Sequence, residues 1–399
     1  MVSLNAGCTQ VAQTKTGLDR VTEYTHLFEG KRIGIIANQT AVNSTGHSIV
    51  DVFSALPGCE VKALYAPEHG LWGAKAAGAS IDTVTHPTYG IPVFSLYRND
   101  GRMPKPTPDM LNNIDVLVFD IQDIGARFYT YIWTMALAME AAAENQCSFV
   151  VLDRPNPVAG LAVQGPILDR GFASFVGLYP IPVVHRMTVG ELARLFNGQE
   201  WSKARTKTNL SVIPMSGWTH ATSFEQTGLT FIPPSPNMRT LDTARVYPGL
   251  CLLEGTNISE GRGTDLPFLQ FGAPWLDAEK LTQRLTDLNL PGVRFETTDF
   301  SPTASKFKGK MCHGVRLHIS DRTQLQPFAL GVHIVRSIYN LHGKNFQWRE
   351  SHFDRLCGTD QIRLAILGRS PVPQIELTWR AQLEAFKKLR DRYLHYPQD

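Results

Sequence analysis

The chain has 399 residues, of which 43% are apolar and 19% charged, and a net charge of +3. That length exceeds what one hydrophobic core usually organises, so two domains are expected. The small charge, without a basic run, argues against a nucleic-acid partner, and no stretch reaches the ~18 consecutive apolar residues of a membrane span.

Met1 to Cys8 has no charged n-region and no h-region, so it does not read as a signal peptide. Leu4-Asn-Ala-Gly-Cys8 resembles the small-residue end of a bacterial lipoprotein signal without the apolar segment before it. The expectation is a flexible segment over 1–25, with Cys8 a lipidation candidate. The six cysteines show no C-x-x-C spacing, which argues against a zinc site or a disulfide scaffold. Cys147 and Cys251, in apolar surroundings, read as small core residues.

Lys31–Ala37 reads as a first strand, followed by a loop over 38–46 and a helix ending near Leu56. Val61–Ala66 and Ile91–Leu96 follow as strands. The β-branched run Ile114–Phe119 is a buried parallel strand, and it leads into an apolar helix from about Tyr129 to Asn145. Ser148–Asp153 is the next strand. Strands alternating with helices predict a doubly wound, mostly parallel α/β sheet over 26–238.

The prolines of Phe231–Met238 cannot sit inside a helix, so this segment is read as the domain junction. A smaller α+β domain is expected over 239–399. Gly249–Glu254 is read there as a strand, Asp277–Leu288 as a helix and Val315–Ile319 as a half-exposed strand. Helices near 327–341 and 374–393 complete it.

Polar residues crowd the carboxyl ends of the first domain's strands, where open α/β sheets place ligands. Asn38 follows the first strand, and Glu68 and His69 follow the second. Asp120, Gln122, Asp123 and Arg127 follow the fourth, and Arg154 and Asn156 the fifth. Glu68 is the leading general acid/base, with His69 positioning it; the plain alternative is a capped turn. Asp123 and Arg127, four apart near a helix start, could equally be a structural ion pair.

Glu254-Gly-Thr-Asn-Ile-Ser-Glu-Gly-Arg-Gly-Thr264 is a second site-like segment. It offers Glu254, Asn257, Glu260 and an Arg262 flanked by glycines, suited to grip a carboxylate. Asn156 and Asn237 sit between prolines in rigid turns, where an amide can meet a sugar. His185 to Glu191 reads as an exposed polar turn capped by Thr188 with Glu191 as its partner, His185 facing the cleft. Tyr129 is a rim aromatic. The Gly-x-Ser-x-Gly, P-loop, dinucleotide and H-E-x-x-H patterns are absent, and no cofactor is expected.

Five segments together resemble one bacterial family. They are Pro67-Glu-His-Gly, Phe119-Asp-Ile-Gln-Asp-Ile-Gly-Ala-Arg-Phe-Tyr-Thr-Tyr, Leu152-Asp-Arg-Pro-Asn-Pro, Pro234-Ser-Pro-Asn-Met and the Glu254–Thr264 run. The family is that of the exo-acting β-N-acetylmuramidases, long filed as a domain of unknown function. The resemblance implies a Rossmann-like N-terminal domain without a nucleotide, a smaller C-terminal domain and an active cleft between them. It also implies release of terminal N-acetylmuramic acid from peptidoglycan fragments in the cell envelope. Glycoside hydrolysis needs an acid and a second group, for which Asp120, Asp123 and Glu260 rank equally beside Glu68. Arg127 or Arg262 would meet the lactyl carboxylate. Two alternatives remain: a metal-dependent hydrolase ligated by Glu68, His69, Asp120, Asp123 and His185, and a non-catalytic muropeptide binder.

Overall fold

The computed structural model describes residues 13–75, 83–97, 103–204 and 206–398. Cys8 lies outside them. Seven strands form the main sheet: β1 (Lys31–Ala37), β2 (Cys59–Ala66), β3 (Val84–Thr85), β4 (Pro92–Ser95), β5 (Val116–Asp120), β6 (Ser148–Leu152) and β7 (Asn209–Ile213), in the order β3-β4-β2-β1-β5-β6-β7. All neighbours run parallel except the short β3–β4 edge pair. The chain lays β2 and β4 to one side of β1, then crosses to lay β5 on the other. The switch point therefore lies between β1 and β5, where Ala37 pairs with Asp120.

Both faces of the sheet are covered, so its strands alternate between two apolar environments. Val116 and Val118 face the cluster that holds Phe28 and Phe53, the latter on α1 (Ile49–Ser54). Leu117 and Phe119 face the other, with α2 (Tyr131–Glu144) and α3 (Val189–Gly198). Every residue of α2 from Tyr131 to Ala142 is buried, as an all-round apolar helix requires. Its Trp133 is fully buried and keeps its indole N–H satisfied by donating to the Arg127 carbonyl at 2.7 Å.

The second half of the chain carries α4 (Leu241–Leu250) and an antiparallel sheet of β8 (Gln270–Ala273), β9 (Val293–Phe300) and β10 (Cys312–Ile319), ordered β8-β10-β9. Around it lie α5 (Ala278–Asp287), α6 (Pro327–His342), α7 (Glu350–Cys357), α8 (Gln361–Leu367) and α9 (Val372–Arg390). The apolar interior is continuous from Leu117 and Phe119 of the main sheet to Phe328 of α6 and Leu383 of α9. Among the described residues no helix is long and apolar enough to cross a membrane.

Two expectations are corrected here. Gly249–Glu254 is not a strand: it is the end of α4 and a 3-10 turn over Cys251–Gly255. A short apolar run reads alike in either state, and the packing decides. Gly249 sits so close to α6 that a Cβ on it would lie 1.9 Å from the Pro327 carbonyl oxygen. Nor are residues 13–25 loose. Leu18 and Val21 are buried, and Gly17 donates its N–H to the Asp153 carbonyl at 2.8 Å.

The chain end returns to the same place. Tyr396 donates its hydroxyl to Asp153 Oδ2 at 2.6 Å and accepts the Met215 N–H at 2.9 Å. Asp153 also takes the Gly190 N–H and the Thr188 hydroxyl at the start of α3. The predicted capping box of Thr188 and Glu191 is present, but the turn is not exposed: His185, Thr188 and Glu191 are all buried. Glu191 is held further by His220 Nε2 at 2.9 Å.

Candidate active site

The end of β2 makes a sharp turn at Pro67-Glu68-His69-Gly70. Gly70 donates its N–H to the Pro67 carbonyl at 3.0 Å, and His69 takes φ = 72°, uncommon for a residue with a Cβ. Compensating contacts hold it there. His69 Nδ1 lies 2.7 Å from the Lys75 carbonyl oxygen, and Lys75 donates its N–H back to the His69 carbonyl at 3.2 Å. A carbonyl only accepts, so Nδ1 carries a proton, and in the neutral ring Nε2 is an acceptor.

The turn brings Glu68, half-buried, to the start of α2. Thr130 is the N-cap of that helix, yet its hydroxyl makes no cap and donates instead to Glu68 Oε2 at 2.9 Å. The N-terminal end of α2 favours a carboxylate at this place. Next in chain, Tyr131 donates its hydroxyl to the Pro234 carbonyl at 2.6 Å, which ties α2 to the proline segment. Burial pushes the Tyr129 and Tyr131 hydroxyls well above their usual range, and the nearby Glu68 adds to the effect. Both stay neutral.

The opposite wall comes from the second half of the chain. Arg262 donates from Nη2 to Glu254 Oε1 at 2.7 Å, lies with Nε 3.3 Å from Glu260 Oε1, and stands 5.0 Å over the Phe268 ring. His352 of α7 lies 3.6 Å from Glu254 Oε2. Burial opposes ionisation of Glu254, but Arg262 and His352 outweigh it and hold the carboxyl down at about 2. Glu254 is a carboxylate at any working pH.

Glu68, His69, Tyr129, Asn237, Glu254 and Arg262 thus line one pocket of about 140 Å³ between the sheet's loops and the C-terminal part of the chain. Its floor and sides include Phe128, Tyr247, Phe268, Met238 and Leu356. The side chain of Asn237 makes no hydrogen bond to the described residues, so both ends of its amide are available to a ligand.

A model of the exo-β-N-acetylmuramidase NamZ N-terminal domain matches residues 33–242, and one of the NamZ C-terminal domain matches 245–396. The chain is 45% identical over 386 residues to the peptidoglycan β-N-acetylmuramidase NamZ of Bacillus subtilis, covering 96% of this chain and 92% of that one. The chain belongs to the exo-β-N-acetylmuramidase NamZ family. Two crystal structures of DUF1343 family proteins from Bacteroides fragilis share the fold. One has a TM-score of 0.89 at 37% identity, covering 96% of this chain and 99% of that one. The other has a TM-score of 0.78 at 32% identity, covering 97% and 100%.

Several residues expected at the site of this NamZ-family chain are structural instead. Asp120 is fully buried and doubly bonded by Arg154, from Nε to Oδ1 and from Nη2 to Oδ2 at 2.9 Å; burial raises its pKa and Arg154 opposes that rise. Arg154 also lines a second pocket, of about 250 Å³, with Thr40, Val42 and Gln122, apart from the one that holds Glu68. Arg127 makes no ion pair with Asp123. It is wholly buried and donates to the carbonyls of Pro166, Ile181 and Leu356 at 2.8–2.9 Å. Burial lowers its pKa to about 10, and no lactyl carboxylate can reach it.

Asp123 Oδ2 takes the Gly125 N–H at 2.7 Å and faces His185 Nε2 at 3.6 Å; neither residue lines the pocket. Gln122 donates to the Asp123 and Pro155 carbonyls, and Asn156 spans Met187 and Val158. Asn38 closes an Asx turn onto Thr40, and Asn257 exchanges backbone bonds with Asn345 and Gln347. Glu260 is buried between Lys306 at 3.0 Å and Arg262 and does not itself line the pocket. The ligand set of a metal-dependent hydrolase is dispersed. Among the described residues no three His, Cys, Asp or Glu side chains meet as a metal site would need. The residues that sequence reasoning missed are Thr130, Ser235, Tyr247 and His352. His352 carried no local signal, because it joins Glu254 from a helix almost a hundred residues away.

Proposed function

We propose that the protein removes N-acetylmuramic acid from the non-reducing end of peptidoglycan fragments, with Glu68 as the general acid. The observation that carries this reading is that Glu68 and Glu254, whose carboxyl is held low by Arg262 and His352, line one partly aromatic pocket from different halves of the chain. The Bacillus subtilis relative, named a peptidoglycan β-N-acetylmuramidase, supports it.

In this reading Glu68, oriented by the Thr130 hydroxyl, gives its proton to the glycosidic oxygen as the bond breaks, and a water adds to the anomeric carbon and returns a proton to the carboxylate. His69, held by Lys75, offers Nε2 as an acceptor to a sugar hydroxyl. Glu254, kept anionic by Arg262 and His352, accepts the N–H of the 2-acetamido group or faces the positive charge that develops at the anomeric carbon. Arg262 and His352 together receive the lactyl carboxylate. Glu254 and Glu260 are matched in charge by Arg262 and Lys306. The cell envelope, where peptidoglycan lies, is part of the same proposal.

The test is to incubate the protein with the disaccharide N-acetylmuramyl-β-1,4-N-acetylglucosamine and follow free N-acetylmuramic acid by mass spectrometry. Release by the wild-type protein and its loss in Glu68→Gln are the expected results. Absence of release by the wild type, with binding intact, would make the protein a muropeptide binder.

A further inference from the structure

Trp72 is 53% exposed, four residues after Glu68, although an indole normally buries its large apolar face. It is not alone. The His86 ring lies 6.2 Å from it, and the Tyr89 ring 5.3 Å from His86, at angles of 36° and 44°. Tyr89 is itself 37% exposed, and Val84, two residues before His86, is 41% exposed. Three rings in a row at one surface form an apolar patch that the protein's own core does not use.

The patch is held in place. Tyr89 donates its hydroxyl to Asp51, which is fixed in turn by the capping box at the start of α1. The turn after Trp72 is pinned as well. Gly73 takes φ = 68° and packs so tightly on the Gln39 side chain that a Cβ would lie 2.2 Å from it. Gln39 then donates from Nε2 to the Pro233 carbonyl at 2.8 Å. The loop with Trp72 is thereby fastened to the proline segment whose Ser235 and Asn237 line the pocket. Four residues of chain span at most about 14 Å, which bounds the separation of the Trp72 and Glu68 backbones to a few sugar lengths.

An enzyme that accepts only a chain end must let the rest of the chain leave by the pocket mouth. We propose that Trp72, His86 and Tyr89 form a stacking platform for the sugars on the leaving-group side of the scissile bond. Pyranose rings present C–H faces to aromatic rings, and a fixed row of exposed rings suits successive sugars of a glycan. This rests on the proposed glycosidase activity and extends it to polymer recognition.

The test compares Trp72→Ala and Tyr89→Ala with wild type on two substrates. One is 4-nitrophenyl N-acetyl-β-muramide, which has no sugar beyond the scissile bond; the other is the peptidoglycan tetrasaccharide free of peptide. The platform predicts a fall of about tenfold in kcat/KM on the tetrasaccharide, mostly through KM, with little change on the nitrophenyl substrate and recovery in Trp72→Phe. Equal losses on both substrates would make the ring a support of the Glu68 loop and overturn the proposal, as would an unchanged tetrasaccharide KM. A loss seen only with peptide-bearing fragments would assign the patch to the stem peptide and overturn it too. If the wild type cleaves neither substrate, the glycosidase reading fails by itself. Tetrasaccharide affinity measured by calorimetry then decides the platform: weaker binding by Trp72→Ala supports it, and equal binding rejects it.

Discussion

Arg262 grips Glu254 through a 2.7 Å bond from Nη2 to Oε1, and this contact makes Glu254 the fixed negative charge of the pocket. Glu254→Gln should lower kcat/KM for a muramyl substrate by about 10²-fold, the scale of losing one preorganised charged contact. Arg262→Lys should recover little of the loss in Arg262→Ala, because a point charge cannot hold Glu254, Glu260 and a lactyl carboxylate at once. Arg262→Ala should also erase the preference for muramyl over N-acetylglucosaminyl substrates. Equal losses on the two sugars would remove Arg262 from lactyl recognition.

Glu68→Gln should reduce cleavage of the natural disaccharide by about 10²–10⁴-fold, the usual contribution of a general acid. On the nitrophenyl muraminide the loss should be smaller, since that leaving group departs without a proton. Thr130→Val, which removes the hydroxyl at 2.9 Å from Glu68 Oε2, should give a milder loss of the same pattern. Steady-state kinetics on both substrates check this; a uniform loss in Glu68→Gln argues for a role other than protonation.

Arg127→Met tests a residue that the sequence made a ligand and the fold makes a clamp. It removes three buried hydrogen bonds and leaves the Pro166 and Leu356 carbonyls without that donor, while the Ile181 carbonyl keeps the Leu168 N–H. The expected cost is about 3 kcal/mol or more in urea unfolding, with the muramyl-over-glucosaminyl preference of the remaining folded protein unchanged. A stable variant with altered sugar preference would contradict this assignment.

Asp153 should make stability depend on pH in an unusual direction. Burial raises its carboxyl to about 6 from 3.8, with Glu191 adding and the Tyr396, Gly190 and Thr188 bonds opposing. The folded state therefore holds the proton more tightly than the unfolded chain. Its contribution to stability is largest below about pH 4 and is lost as pH rises through 6, a difference of up to about 3 kcal/mol. Glu254, lowered to about 2, works the other way, but its effect sets in only below its unfolded value of 4.5. His333, lowered by burial to about 4 from 6.5, also titrates in this range and in the opposite sense. The readout is therefore the difference between wild type and Asp153→Asn: the urea midpoint of the wild type relative to the variant should fall as pH rises from 4 to 7.

Much of the fold was readable from local pattern. β1, β2, β5, β6 and α2 lie close to where the alternation of apolar strands and helices put them, because a strand buried on both faces must be apolar throughout. The reading failed at Gly249–Glu254, where burial of backbone against backbone at Gly249 and Gly331 selects helix over strand. It failed also at 13–25, whose order depends on contacts with Asp153 and Ser216 far along the chain.

For the site, the sequence by itself determined that Glu68 and His69 stand at a strand end, and it singled out Asn237 in a proline-flanked turn and Glu254 and Arg262 in a glycine-rich one. It could not rank Asp120, Asp123 and Glu260, which look alike as isolated letters, and it read Glu254 only as a binding residue. Only the tertiary structure decided between them, by the partner each one meets. Asp120 meets Arg154 in the interior, Glu260 meets Lys306, and Glu254 meets Arg262 and His352 at the pocket. A side chain's charge is local, whereas its solvation and its neighbours are properties of the folded whole.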